Sequence, residues 1–134
     1  RKNVTLEERL RAVDQAKSLK LQNPSAVVVM RAPYVYYGFA LALPNKFTRS
    51  LLPRRNFLMT VWDPTGKKWN IRYLGERRYG SLSAGWRQFS HHNNLEEGDA
   101  CVFELIENYV LRVHIFRVVE EITPLINNAV RKDK

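Results

Sequence analysis

Apolar residues recur along the chain with two different periods. At the start, Leu6, Leu10 and Val13 fall at helical spacing behind Thr5-Leu6-Glu7-Glu8, a hydroxyl followed three residues later by a carboxylate, which is the capping-box form. The pattern predicts a helix over residues 6–19. Its faces mix Glu7, Glu8 and Asp14 with Arg9, Arg11, Lys17 and Lys20, which suits either a docked appendage or a helix that binds a partner. Asn23-Pro24-Ser25 breaks this pattern, and strand-like runs take over. Residues 26–31, AVVVMR, read as a buried strand ended by Pro33. A second apolar run over 39–43 closes at Pro44, where Asn45 is placed to cap a short helix over 46–52, with Phe47, Leu51 and Leu52 inward and Lys46 and Arg49 outward.

Residues 57–62 and 67–74 alternate on either side of Asp63-Pro64-Thr65-Gly66. They predict a hairpin with Trp69, Ile71 and Tyr73 on one face and Lys68, Asn70 and Arg72 on the other. Gly75 and Gly80 bracket a basic loop, GERRYG, and a short strand at Ser81 and Leu82 follows. The densest local instruction lies in residues 85–103. Ser83 is placed to cap a helix carrying Trp86 and Phe89, His91-His92-Asn93-Asn94 ends it, Leu95 anchors a turn, and Gly98 supplies a positive φ before a strand over 100–106. Glu107-Asn108 reads as a hairpin corner, and residues 110–119 alternate Leu111, Val113 and Ile115 with Arg112, His114 and Arg117. The expected organisation is an N-terminal helical extension over 1–25, a mainly β domain over 26–119, and a tail over 120–134 that frays after Pro124.

With 134 residues, the chain fits one domain that buries about two-thirds of its unfolded surface. Its one cysteine, Cys101, excludes an intrachain disulfide and lies in an apolar run, as a small buried thiol would; a reducing, intracellular setting is expected. No apolar run approaches the roughly 18 residues of a membrane span, and no signal-peptide pattern is present. The chain begins at Arg1 without an initiator Met, so a piece of a longer protein is expected.

Location makes the net charge of +9 informative. Residues 31–92 hold eleven Lys or Arg against two acids, Asp63 and Glu76, while the remainder carries eleven of each sign. Such a concentrated field favours polyanions, either nucleic acid or an anionic membrane surface; the alternative is a merely solubilising surface. Chemistry is poorly provided for. His91 and His92 are adjacent and diverge on a helix, no Cys or second His is spaced for zinc, and His114 fits a structural histidine. Asp99, Glu96 and Glu97 suit a hydrogen-bonded turn better than acid–base work, and no Gly-rich phosphate loop occurs. Neither enzymatic activity nor a cofactor or metal is expected. Arg77 and Arg78, raised on a tight loop, suit phosphates or the base edges of a major groove. Lys67, Lys68, Arg54 and Arg55 are candidates to flank the same surface as phosphate contacts.

The spaced anchors Gly85-Trp86-x-x-Phe89 and Leu95-x-x-Gly98-Asp99-x-x-x-Phe103, preceded by Trp69-x-Ile71-Arg72-Tyr73, resemble the B3 DNA-binding domain of plant transcription regulators. The Leu43-Pro44 step, the short helix with Phe47 and the hairpin turn at Gly66 agree. The resemblance covers about residues 26–119 and is greatest to the reproductive-meristem group, the vernalization-regulator type included. It implies a seven-stranded open pseudobarrel with two short helices, here with an added N-terminal helix, that binds double-stranded DNA in the major groove through two arms in the nucleus. The first arm maps to residues 31–43 with neighbours, giving Arg31, Tyr34, Tyr36, Tyr37, Lys46 and Arg49; the second maps to 72–80, giving Arg72, Arg77, Arg78 and Tyr79. The first arm departs from the better-characterised groups by carrying Pro33 and three tyrosines, which either cap the core or project toward a ligand. Tyrosines lack the paired donors and acceptors that discriminate base pairs, so modest sequence preference is expected. The alternatives are a protein-interaction module using the tyrosine-rich edge and the first helix, and a single-strand binder, which the buried patterns of Trp69 and Trp86 disfavour.

Overall fold

The computed structural model describes residues 3–119; the expected tail lies outside the described residues. In chain order the elements are α1 (Leu6–Ser18), β1 (Ser25–Val29), α2 (Ala32–Val35), β2 (Leu41–Ala42), α3 (Asn45–Leu51), β3 (Asn56–Trp62), β4 (Lys68–Leu74), β5 (Ser81–Leu82), α4 (Trp86–His92), β6 (Ala100–Glu107) and β7 (Val110–Phe116). The seven strands form one curled sheet in the order β1-β6-β7-β3-β4-β5-β2, an open half-barrel. Every neighbouring pair is antiparallel except β3 and β7, which run parallel.

Inside the curl lie Met59, Val61, Ile71, Tyr73, Leu82, Phe103, Leu111 and Val113, closed over by Trp86 and Phe89 of α4. Trp86 stacks on Phe89 with ring centroids 4.9 Å apart, and both are fully buried. Gly85 begins α4 at φ 100°, with a missing Cβ that would otherwise fall 2.6 Å from the Asn70 carbonyl of β4. The expected Ser83 cap is therefore not used. The Ser83 hydroxyl donates instead to the Arg72 carbonyl, 3.3 Å away. Asn45 likewise does not cap α3; it is the first helical residue behind Pro44, and Leu51 is 37% exposed while Phe47 and Thr48 are buried.

Two expected strands are shorter than their apolar patterns. The backbone of Met30 leaves β1 to bond with the β6 turn, its N–H donating to the Asp99 carbonyl and its carbonyl accepting from Gly98, 2.8 Å each. The Val118 N–H is taken by the Asp99 carboxylate at 2.8 Å, which ends β7 early. Pro33 lies in the first turn of a third short helix, α2, where the pattern predicts only a loop. Its end is fixed by the Phe39 N–H donating to the Pro33 carbonyl, 3.0 Å.

α1 forms as its capping box predicts: the Thr5 hydroxyl accepts from the Glu8 N–H at 3.1 Å, and the Glu8 carboxylate accepts from the Thr5 N–H at 2.9 Å. Its docking face differs from the predicted stripe. Leu6 and Leu10 are 71% and 53% exposed, whereas Ala12 and Ala16 are buried against Ala100 and Val102 of β6, with Val27 and Phe116 alongside. Small side chains let the helix lie close on the strands, and leucines at those positions would hold it away.

Candidate nucleic-acid interface

The loop over residues 75–80 is held at both ends by close backbone packing. A Cβ on Gly75 would meet the carbonyls of Arg55 and Pro53 at 2.5 and 2.6 Å, and one on Gly80 would collide with the Tyr73 hydroxyl. The Glu76 N–H donates to Asn56 Oδ1 at 3.2 Å, and the Gly80 carbonyl accepts from Leu43 at 3.0 Å. Between these anchors Glu76, Arg77, Arg78 and Tyr79 are exposed. Closely packed ends thus present an exposed basic crest.

Across a concavity from Arg77 and Arg78 stand Arg49 of α3 and Arg54, with Asn45, Thr48 and Leu52 on the walls and Tyr73 in the floor. Burial pushes the Tyr73 phenol pKa up, opposed by its hydrogen bond with Thr48, so the floor is neutral. None of these four arginines is ion-paired with a carboxylate among the described residues. Lys46 is exposed one turn earlier on α3. Arg55, by contrast, is engaged: it donates to the Tyr109 hydroxyl at 2.8 Å and lies 5.4 Å from the rings of Phe57 and Tyr109.

The tyrosines of the first arm divide between the two uses left open by the sequence. Tyr34 packs against the core, and its carbonyl accepts the Trp86 indole N–H at 2.9 Å. The Tyr36 hydroxyl donates to Glu96 Oε1 at 2.9 Å and accepts from the Glu97 N–H at 3.0 Å, which ties α2 to the turn before β6. Tyr37 is exposed and projects, as is Arg31 ahead of α2. Pairing of Leu41 with Leu82 and of Ala42 with Ser81 places the first arm beside Ser83 and the second beside Leu43. The outer face framed between them carries the small Ala42 and Ser81, with Arg72 exposed on β4.

Lys67 and Lys68 do not join this cluster. They stand at the opposite end of β4, which at about 3.3 Å per residue separates them by about 20 Å from the 75–80 loop. Lys67 lies 4.2 Å over the Trp69 ring and Lys68 5.6 Å from the Trp62 ring. One basic residue near the first arm escaped the sequence reading: Arg87 of α4, exposed and 5.4 Å over the Phe39 ring. Its place after the buried Trp86 forces it outward, but only the fold brings Phe39 to it.

Other polar groups hold the frame. Asp63 is buried beneath the β3–β4 turn. Burial alone would raise its pKa, but hydrogen bonds from the Thr65 hydroxyl, the Trp69 indole, the Lys67 N–H and the Asn93 amide outweigh that and hold it at about 2. Glu104 is lowered in the same way, burial being outweighed by Asn23 and by His114, whose Nε2 lies 2.8 Å from Oε1. Burial pushes the Cys101 thiol up, which leaves it unreactive. Among the described residues no group of three or more His, Cys, Asp or Glu could hold a metal ion.

Residues 26–119 match the family model of the B3 DNA binding domain, and the chain belongs to that family. It is 46% identical over 126 residues to a B3 domain-containing protein of Oryza sativa subsp. japonica, covering 92% of this chain and 31% of that protein. It is 39% identical over 122 residues to the B3 domain-containing transcription factor VRN1 of Arabidopsis thaliana, covering 90% of this chain and 36% of VRN1. The chain thus spans about a third of the length of these relatives. The fold is shared with a hypothetical Arabidopsis thaliana protein, with a TM-score of 0.62 at 19% identity over 73% of this chain and 94% of that one. It is also shared with Arabidopsis thaliana transcription factor LEC2, solved in complex with DNA, with a TM-score of 0.51 at 12% identity over 71% and 96%.

Proposed function

We propose that this chain is the DNA-contacting module of a nuclear plant transcription regulator, with residues 26–119 as the binding unit and residues 1–25 as an extension that braces it. It grips a duplex in the major groove between two arms and performs no catalysis. Arg77, Arg78 and Tyr79 supply the second arm together with Arg72, while Lys46, Arg49 and Arg54 take phosphates beside it. Arg31, Tyr37 and the Tyr34–Tyr36 frame supply the first. The observation that carries this reading is the group of four arginines, without carboxylate partners among the described residues, on the glycine-anchored loop (Arg77, Arg78), on the facing helix α3 (Arg49) and just beyond it (Arg54). That LEC2 was solved with DNA on the same fold supports it.

Sequence preference is modest in this reading. The most exposed phenol of the first arm, Tyr37, can pack its ring on sugar or donate to phosphate but cannot form a bidentate contact to a base edge. Affinity therefore falls steeply with salt. Binding of matched and random duplexes across a salt series tests both statements. Replacing Arg77 and Arg78 with Ala is expected to weaken binding by about tenfold or more and to flatten the salt slope by about two. Unchanged affinity removes the second arm. A steep preference for one short sequence at near-physiological salt overturns the modest-specificity part. A second reading, a protein partner docking on α1, is favoured by the exposed Leu6 and Leu10; absence of duplex binding at low salt would leave it standing.

A further inference from the structure

Among the described residues α1 packs mainly on β1, β6 and β7, and the outward side chains of the central strands, Leu58, Lys68, Asn70, Arg72 and Arg112 among them, are exposed. Register arranges these outward side chains in rows. Trp62 of β3 is directly opposite Lys68 on β4 and Arg112 on β7, so a half-buried indole is flanked by two exposed cations. One row further along are Thr60 and Asn70, and beyond them Leu58 opposite Arg72. Two carboxylates border the face. Glu104, across from Arg112, is buried and engaged with Asn23 and His114, and Glu107 stands at the hairpin corner across from Val110. Lys68, Arg72 and Arg112 make no close ion pair among the described residues, although the charge of Arg112 helps to hold the Glu104 carboxyl low.

This row of charges runs into the second arm. Lys68, Asn70 and Arg72 are alternate residues of β4, and the strand continues directly into the loop of Arg77 and Arg78. The length from Lys68 to that loop, about 20 Å, equals the axial rise of about six base pairs. We propose that Lys68, Trp62 and Arg112 form a flanking contact zone for the same duplex that the arms hold, extending the footprint beyond the groove contacts. The inference rests on the two-arm reading. The cations take phosphates, Thr60 and Asn70 donate beside them, and the flat Trp62 ring packs on sugar, all without base recognition. A peptide partner fits less well, since Leu58, 60% exposed and opposite Arg72, is the one strongly exposed apolar side chain among these rows.

Duplex length separates the flank from the arms. Random duplexes of about 8 and about 20 bp are compared for the wild-type chain, the Lys68→Gln/Arg112→Gln variant and a control, Lys17→Gln/Lys20→Gln, that removes equal charge elsewhere. The flank variant is expected to lose about 5- to 10-fold in affinity on the long duplex, change less than about 2-fold on the short one, and show a salt slope shallower by about two only on the long one. The control is expected to show no length dependence. An equal loss on both lengths, or none on either, overturns the flanking zone while leaving the arms intact. Failure of the wild-type chain to bind either duplex overturns the two-arm reading and the flank with it. Retained melting temperature in both variants shows that folding is not what changed.

Discussion

Asp63 has no exposed side-chain surface, yet it is held ionised by donors from three parts of the chain. Its position in an Asp-Pro-Thr-Gly turn is legible in the sequence; that Asn93, thirty residues on, donates to the same carboxylate at 3.3 Å is not, because only the closure of α4 over the hairpin brings it there. A carboxylate pKa depressed from 3.8 to about 2 stabilises the fold fully above about pH 5, and that contribution is lost as pH falls toward 2. The difference corresponds to about 2 kcal/mol. Asp63→Asn keeps the volume but presents an amide to the donors of Trp69 and Asn93. It is expected to cost about 2–3 kcal/mol at pH 7. In denaturant titrations the gap between wild type and variant should narrow as pH is lowered from about 5 to about 2; a constant gap would show that the charge of Asp63 is not what matters. Tyr36 makes the complementary point about legibility. An exposed tyrosine in a candidate arm reads as a ligand contact, but its hydroxyl is already bonded to Glu96 and Glu97 across sixty residues.

Elements were legible where one short stretch carries its own instructions. The β3–β4 hairpin, the β6–β7 corner and the α1 cap follow from turn residues and alternation within a few positions. Element ends are not legible where a distant backbone decides: α4 starts after Gly85, where β4 lies against the chain, and β7 stops because Asp99 takes the Val118 N–H. α1 is the clearest case. Its hydrophobic spacing selects Leu6 and Leu10, but contact with β6 selects Ala12 and Ala16, since only small residues permit the close approach. Ala12→Leu is therefore expected to destabilise the protein by about 1–3 kcal/mol through overpacking. Leu10→Ala, which removes a larger side chain, should change stability by less than about 0.5 kcal/mol. Thermal melts of the two variants give the order; the reverse order would mean that α1 docks through its leucine stripe.

At the scale of the molecule, the sheet order separates the strands under α1 from those that carry the proposed arms. β1, β6 and β7 lie at one end under α1, while β4, β5 and β2 at the other carry the second arm and the edge beside the first. The B3 anchors in residues 85–103 are spent on the core, and one of them reaches an arm directly: the Trp86 N–H fixes the Tyr34 carbonyl. α1 reaches neither arm. It covers Val27, Ala100, Val102 and Phe116, and Arg11 donates to the carbonyls of Arg117 and Val118 at 3.2 and 2.9 Å, pinning the chain beyond β7. A chain starting at Asn23 keeps the Asn23–Glu104 hydrogen bond but uncovers that apolar face. Loss of its burial is expected to cost about 3–5 kcal/mol and to lower the melting temperature by at least about 10 °C. Duplex affinity, measured well below the transition and at a salt concentration that screens the removed charges, should stay within about 2-fold of the full chain. Tenfold weaker binding by the truncated but folded chain would place α1 in the DNA interface; an unchanged melting temperature would mean that the helix does not brace the sheet.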